Sequence, residues 1–245
     1  MAIPSQNNGL IVFFILTVIY FVVNYYTKGN YDTIAFSIYM ILLLSTQFGI
    51  SVSLTKELCG EPHVKTAFLY TLLPWVLIFG ILNLMLLMFP GWLRPFSNTI
   101  GYFSIRFLGL KTLIDEILKS KETSKTLGKI YDDYSLLINE IPNPGFGYDN
   151  FWKQMEKDKI LDTNADKFKE KLRDLVNIKF MISKFTWFLL SGMLTISTSY
   201  NYIVKSTCNS SVNEMKKRYN DYQQVISEQK DKEINNEREY IDTGN

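Results

Sequence analysis

Thr66 to Leu93 runs without a charged side chain, and three further stretches approach the same condition. Apolar residues dominate 9–27, 33–55 and 185–204, the last bracketed by Lys184 and Lys205. A helix needs about 20 such residues to cross a hydrocarbon core of roughly 30 Å. Lipid offers no partner for backbone N–H and C=O groups, so each stretch is expected to be helical. The pattern predicts an all-α, multi-pass membrane protein with spans at 9–27, 33–55, 66–93 and 185–204. The fourth is the most polar, with Thr186, Ser191, Thr195, Ser197, Thr198, Ser199 and Asn201. Its Ser/Thr face would pack on the other spans; a buried soluble helix is the alternative reading. Tyr20, Tyr25, Tyr26, Trp75, Trp92 and Trp187 fall near span ends, where amphipathic rings favour the headgroup layer. No basic stretch precedes the first span, so it reads as a retained signal-anchor rather than a cleaved signal.

Between the third and fourth spans the periodicity becomes amphipathic, and 94–184 reads as a helical extramembrane domain. Phe96, Ile100, Phe103, Phe107 and Leu110 recur at helical spacing, with Arg94 and Arg106 off that stripe. This predicts an interfacial helix over 96–110 lying along the membrane; an amphipathic core helix is the other reading. Residues 111–140 are expected to be helical in one or two pieces. One face carries Ile114, Ile117 and Leu118, and another carries Tyr134, Leu137, Ile138 and Ile141. The prolines and glycines of 141–147 break the chain. A short helix over 149–157 would bury Phe151, Trp152 and Met155. From Asn164 no breaker intervenes before Val204, which predicts one helix of about 60 Å that continues into the last span. The tail, 205–245, carries Val212, Met215, Tyr219, Tyr222 and Ile226 at spacings of three and four. That is a short heptad seam suited to partner docking, with a solvated helix as the alternative.

Charge refines this picture. Formal net charge is +2. The first 93 residues hold only Lys28, Lys56 and Lys65 against Asp32, Glu57 and Glu61. No basic stripe suggests nucleic acid as a partner. Four spans place both termini on one face and 94–184 on the other. Lys and Arg near the span ends are similar in number on both faces, so the positive-inside rule does not set orientation. The cysteines, Cys59 and Cys208, fall on the same face, close to the membrane. They would pair as a disulfide if their Cα atoms approach within about 7 Å, or remain two thiols. Pairing requires an oxidising compartment or a particle that leaves the cell.

Candidate chemistry is sparse. His63, the single histidine, stands four residues after Cys59, a spacing compatible with a thiol–imidazole pair. No orienting third group accompanies it, so no catalytic residue is assigned. Ligand spacings for a metal and phosphate-cradling loops are also missing, so no cofactor, metal or small-molecule substrate is expected. Asn209-Ser210-Ser211 matches a glycosylation acceptor, a motif common by chance. The spans carry no acidic or basic side chain of the sort that marks ion pathways. Gly80 and Pro74 in the third span read as a packing kink rather than a broken transport helix.

Two groups of residues suggest a family. One comprises Cys59-Gly60-Glu61-Pro62, Pro74-Trp75, Phe89-Pro90-Gly91-Trp92-Leu93, Pro95-Phe96-Ser97-Asn98-Thr99 and Gly101-Tyr102. The other comprises Asn177-Ile178-Lys179-Phe180, Phe185-Thr186-Trp187 and Ser199-Tyr200-Asn201-Tyr202-Ile203 ahead of Cys208. Together they resemble membrane-anchored minor capsid or inner-membrane virion proteins of large icosahedral double-stranded DNA viruses. The resemblance implies a structural role, tethering a viral capsid to an internal membrane. The partners it implies are the lipid bilayer and other capsid proteins, with the chain in the virion inner membrane beneath the capsid. A small channel or transporter subunit is the alternative.

Overall fold

The computed structural model describes residues 6–27, 31–143, 147–205, 219–220, 222–227 and 230. Among the described residues the named elements are all helical, and a β-bridge between Leu118 and Leu161 is isolated. Four helices are long and apolar enough to cross a membrane: Asn7–Tyr26, Asp32–Cys59, Val64–Met88 and Ala165–Lys205. Their outward faces carry exposed Ile, Leu, Phe and Val, as a lipid solvent allows. Their inward faces meet in an aromatic core of Phe13, Tyr20, Phe21, Tyr39, Trp75, Phe79 and Phe188. Rings of Phe79 and Phe188 meet edge-on at 5.5 Å, and Tyr20 stacks on Tyr39 at 4.9 Å.

Small residues let these helices approach closely. A Cβ added at Gly192 would lie only 2.0 Å from Cζ of the Phe13 ring. Polar side chains in the bundle are spent across its helices: Gln47 Nε2 donates to the Gly9 carbonyl at 2.9 Å, and Thr71 Oγ1 to the Ser51 hydroxyl at 2.7 Å.

The third span stays helical through its proline. Pro74 has no N–H for the carbonyl of Tyr70, four residues earlier. Ser199 of the fourth span supplies the missing donor, its Oγ lying 2.7 Å from Tyr70 O. A π-helical turn, Trp75–Gly80, follows before α-helix resumes at Ile81. The span ends at Met88 rather than at Leu93, because Pro90 opens a 3-10 turn, Pro90–Leu93.

Beyond that turn, residues 94–107 form a neck helix, with a π turn at Ser97–Gly101. The head follows. Where one or two helical pieces were expected over 111–140, there are short helices Leu110–Ile117, Lys125–Asp132 and Ser135–Ile138, with a 3-10 turn at Lys121–Thr123. Ser124 caps the second of these by accepting from the Leu127 N–H. Helix Tyr148–Lys157 completes the head, placing Trp152 and Met155 in a core with Ile114, Ile138, Leu172 and Val176.

One helix belongs to both cores. After a 3-10 turn at Ala165–Phe168, Lys169–Lys205 runs 37 residues without interruption, close to the 164–204 helix expected. Its first turns bury Leu172, Leu175 and Val176 in the head, and its later turns bury Phe188 and Ile196 in the bundle. At 1.5 Å per residue this strut is about 55 Å long.

Candidate functional site at the neck

The head joins the membrane bundle through a cluster of specific contacts around residues 179–187 of the strut. Asp32, the first residue of the second span, is one hub. Its carboxylate accepts from the Tyr20 hydroxyl at 2.7 Å and from Asn24 Nδ2, both on the first span. Lys184 of the strut faces the same carboxylate at 3.7 Å. One acidic side chain thereby ties three helices at the head-side end of the bundle. The pair is partly solvated, so its Coulomb attraction is worth about 1 kcal/mol or less, and its main effect is geometric.

The neck helix is the second component. Gly101 is buried so tightly against the strut that an added Cβ would lie 2.5 Å from Lys179 O and 2.6 Å from Ser183 Oγ. Phe96, five residues earlier, meets the ring of Trp187 at 5.8 Å, and Trp92 reaches the same ring at 6.4 Å. The contacts ascend the neck as they descend the strut numbering, so the two helices run antiparallel.

Lys179 is the third component. It is fully buried, and its ammonium donates to the Ile138 carbonyl and to Asn139 Oδ1, each at 3.0 Å. Burying an ammonium is costly unless its donors are satisfied; here they close the end of the Ser135–Ile138 helix onto the strut. The bond joins the head's last short helix to the segment that the neck also grips.

The sequence-derived sites fall as follows. Of the interfacial stripe, Ile100, Phe103 and Phe107 are exposed, Phe96 is half-buried, and Leu110 is buried in the head core. The stripe is therefore divided: a glycine in the left-handed conformation, Gly109, ends the neck and turns Leu110 inward. One face of the neck packs on the strut at Gly101, and the face carrying Ile100, Phe103 and Phe107 points outward. Cys59 is disulfide-bonded; Cys208 lies outside the described residues. With its sulfur in a disulfide, Cys59 offers His63 no thiolate. The His63 backbone N–H donates instead to Thr55 Oγ1 at 3.2 Å. In the tail seam, Tyr219 and Tyr222 are exposed and Ile226 is half-buried, all within helical residues; Val212 and Met215 lie outside the described residues. Among the described residues, His, Cys, Asp and Glu side chains form no group of three able to hold a metal ion.

Sequence reasoning did not single out Asp32 or Gln47, and it named Gly101 and Lys179 only among the residues of the family resemblance, without the roles they have here. Asp32 had a legible signal: a lone acid at the start of an apolar run, opposite a lone lysine at the start of another. Gly101 and Lys179 had none, because their roles exist only once two distant segments meet. No family model, curated protein or solved structure matches the chain.

Proposed function

We propose that this protein is a structural tether that holds a protein shell at a fixed position relative to a lipid bilayer. The observation that carries this reading is the strut: one uninterrupted helix contributes to both the membrane core and the head core. A domain attached only by a loop would swing; one that shares a helix with its anchor, and is pinned to it by Gly101, Lys179 and the Asp32–Lys184 pair, is held in register. Aromatic rings fill the interior of the bundle, which favours anchoring over a conduit between the spans.

Attachment comes from burial of apolar spans in lipid, at about 25 cal/mol per Å² of apolar surface. Registration comes from the head, which stands on the face opposite the chain's exit at Lys205. We assign shell docking to the head, since the strut's rigidity matters only there, and leave the Tyr219 and Tyr222 face to a second partner across the membrane. Repetition in a symmetric lattice would make weak individual contacts sufficient. That the shell is a viral capsid around an internal membrane rests on the resemblance of the 59–102 and 177–208 motifs alone.

Cross-linking mass spectrometry on the assembled particle tests the reading. Shell protein should couple to Lys121, Lys125, Lys129 and Lys153, which are exposed on the head. Cross-links from the tail alone, or recovery of this chain in membranes without any shell, would overturn it.

A further inference from the structure

We propose that the outer face of the neck, formed by Ile100, Phe103, Phe107 and Leu108, seats in the phospholipid headgroup layer of the head-side leaflet. The inference stands apart from the tether reading, because a membrane protein of any function could use such a face.

The face is unusually apolar for a surface outside the spans. Phe103 is 59% exposed, Phe107 74% and Leu108 55%. The two phenyl rings meet edge-on at 4.7 Å and form one continuous patch. The opposite side of the same helix is spent on protein: Ser97, Gly101 and Ile105 are buried. A helix with one face on the strut and a bare aromatic face outward needs a second neighbour.

Position identifies that neighbour as lipid. The neck directly follows the end of the third span, where Leu87, Met88, Phe89 and Trp92 are exposed as well. The first span gives the level independently. Its terminal Tyr25 and Tyr26, residues of the type that settle at membrane interfaces, line an apolar groove with Met181, Ile182 and Phe185. Gly101 touches the strut at Lys179 and Ser183, on either side of Met181. Gly101 therefore stands level with the Tyr25–Tyr26 end of the first span, which marks the bilayer edge. Headgroups occupy about 5–7 Å per leaflet beyond the hydrocarbon, and Gly101 to Phe107 climbs about 9 Å.

Side-chain direction closes the remaining gap. Every Cα–Cβ bond of a helix tilts toward its N-terminus. The N-terminus of the neck is its membrane end, so Phe103 and Phe107 lean back toward the lipid. Arg106, exposed beside Phe103 and Phe107, carries a guanidinium group suited to lipid phosphates.

Depth-dependent quenching tests this in the full-length protein. Phe103→Cys, Phe107→Cys and, as a control, Lys153→Cys are labelled with bimane without reductant and placed in phosphatidylcholine/phosphatidylglycerol nanodiscs. Signal from protein without an introduced cysteine is subtracted. Lys153 is exposed beside Trp152, which packs with Lys169 at the far end of the strut. A lipid spin-labelled near its headgroup should reduce emission at 103 and 107 and leave 153 unchanged. Arg106→Gln should reduce any gain in quenching that phosphatidylglycerol confers. Equal quenching at all three positions would overturn the proposal. So would unquenched labels at 103 and 107; oxidative cross-linking of the unlabelled Phe103→Cys or Phe107→Cys protein into dimers would then make a second copy the occupant. All the substituted side chains are on the surface, so loss of folding does not confound the readout.

Discussion

The carbonyl of Tyr70 gives the sharpest energetic test of how the bundle is held together. Pro74 cannot donate to it, and Ser199 does so from another helix at 2.7 Å. In lipid no water can replace that donor. Ser199→Ala should therefore destabilise the bundle by about 1 kcal/mol, within the ~0.6–1.7 kcal/mol measured for hydrogen bonds between membrane helices. That corresponds to about a fivefold change in the folding equilibrium. The residues before the π turn are α-helical, so Pro74→Ala restores an N–H within reach of Tyr70 O. In that background, Ser199→Ala should cost close to nothing. A double-mutant cycle isolates the coupling, because each single change is measured with and without the other. The assay is reversible unfolding in mixed micelles, or steric trapping in bicelles. An equal cost for Ser199→Ala in both backgrounds would refute the reasoning, since the hydroxyl would then be serving some other group.

Three further outcomes follow from particular contacts. Gly192→Ala drives a methyl into the Phe13 ring and should cost about 1–3 kcal/mol as an overpacked core; adding Phe13→Leu should recover most of it in the same unfolding assay. Hydrogen bonding from Lys169 and the charge of Arg173 hold the Asp149 carboxyl below its ordinary value of 3.8. A depressed folded value means this support is present above the unfolded pKa and is lost as pH falls through the folded one. Denaturant titrations of the head at decreasing pH should show a loss below about pH 4 that Asp149→Asn reduces. Cys59 should react with a maleimide only after reduction, as a mass shift on its peptide; reaction in the untreated protein would show a thiol instead.

Much of this architecture is legible in the chain because lipid imposes a crude filter. Uncharged runs such as 66–93 announce their spans by length alone, and the strut announces itself because nothing between Lys169 and Lys205 breaks a helix. Hydropathy fails where an apolar sequence stops being helical. Phe89-Pro90-Gly91-Trp92 is as free of charge as the residues before it, but Pro90 opens a 3-10 turn and the span is shorter than the uncharged run. Periodicity fails differently at the neck. Leu110 is in step with Phe103 and Phe107, yet Gly109 at φ 89° reorients the chain and sends it into the head core.

The site itself was mostly invisible for a physical reason. Lys179 lies in a stretch rich in charged residues and looks solvated until Ile138 and Asn139, some 40 residues earlier, supply its acceptors. Gly101 and Gly192 carry no side chain to pattern, and their importance lies in what a Cβ would strike. Pro74 stood out in the sequence as a packing kink, but the Tyr70 carbonyl it leaves without a donor, and the Ser199 hydroxyl that serves it, appear only in the fold.

Cryo-microscopy of the purified full chain in lipid nanodiscs is the most direct test of the central claim, that four helices are solvated by lipid while one of them carries the head out of the membrane. The account predicts a lipid belt encircling the bundle around the Phe13–Trp75–Phe188 core, with the head standing clear on one face. A chain that stays monomeric in detergent-free water and recruits no lipid belt would contradict it.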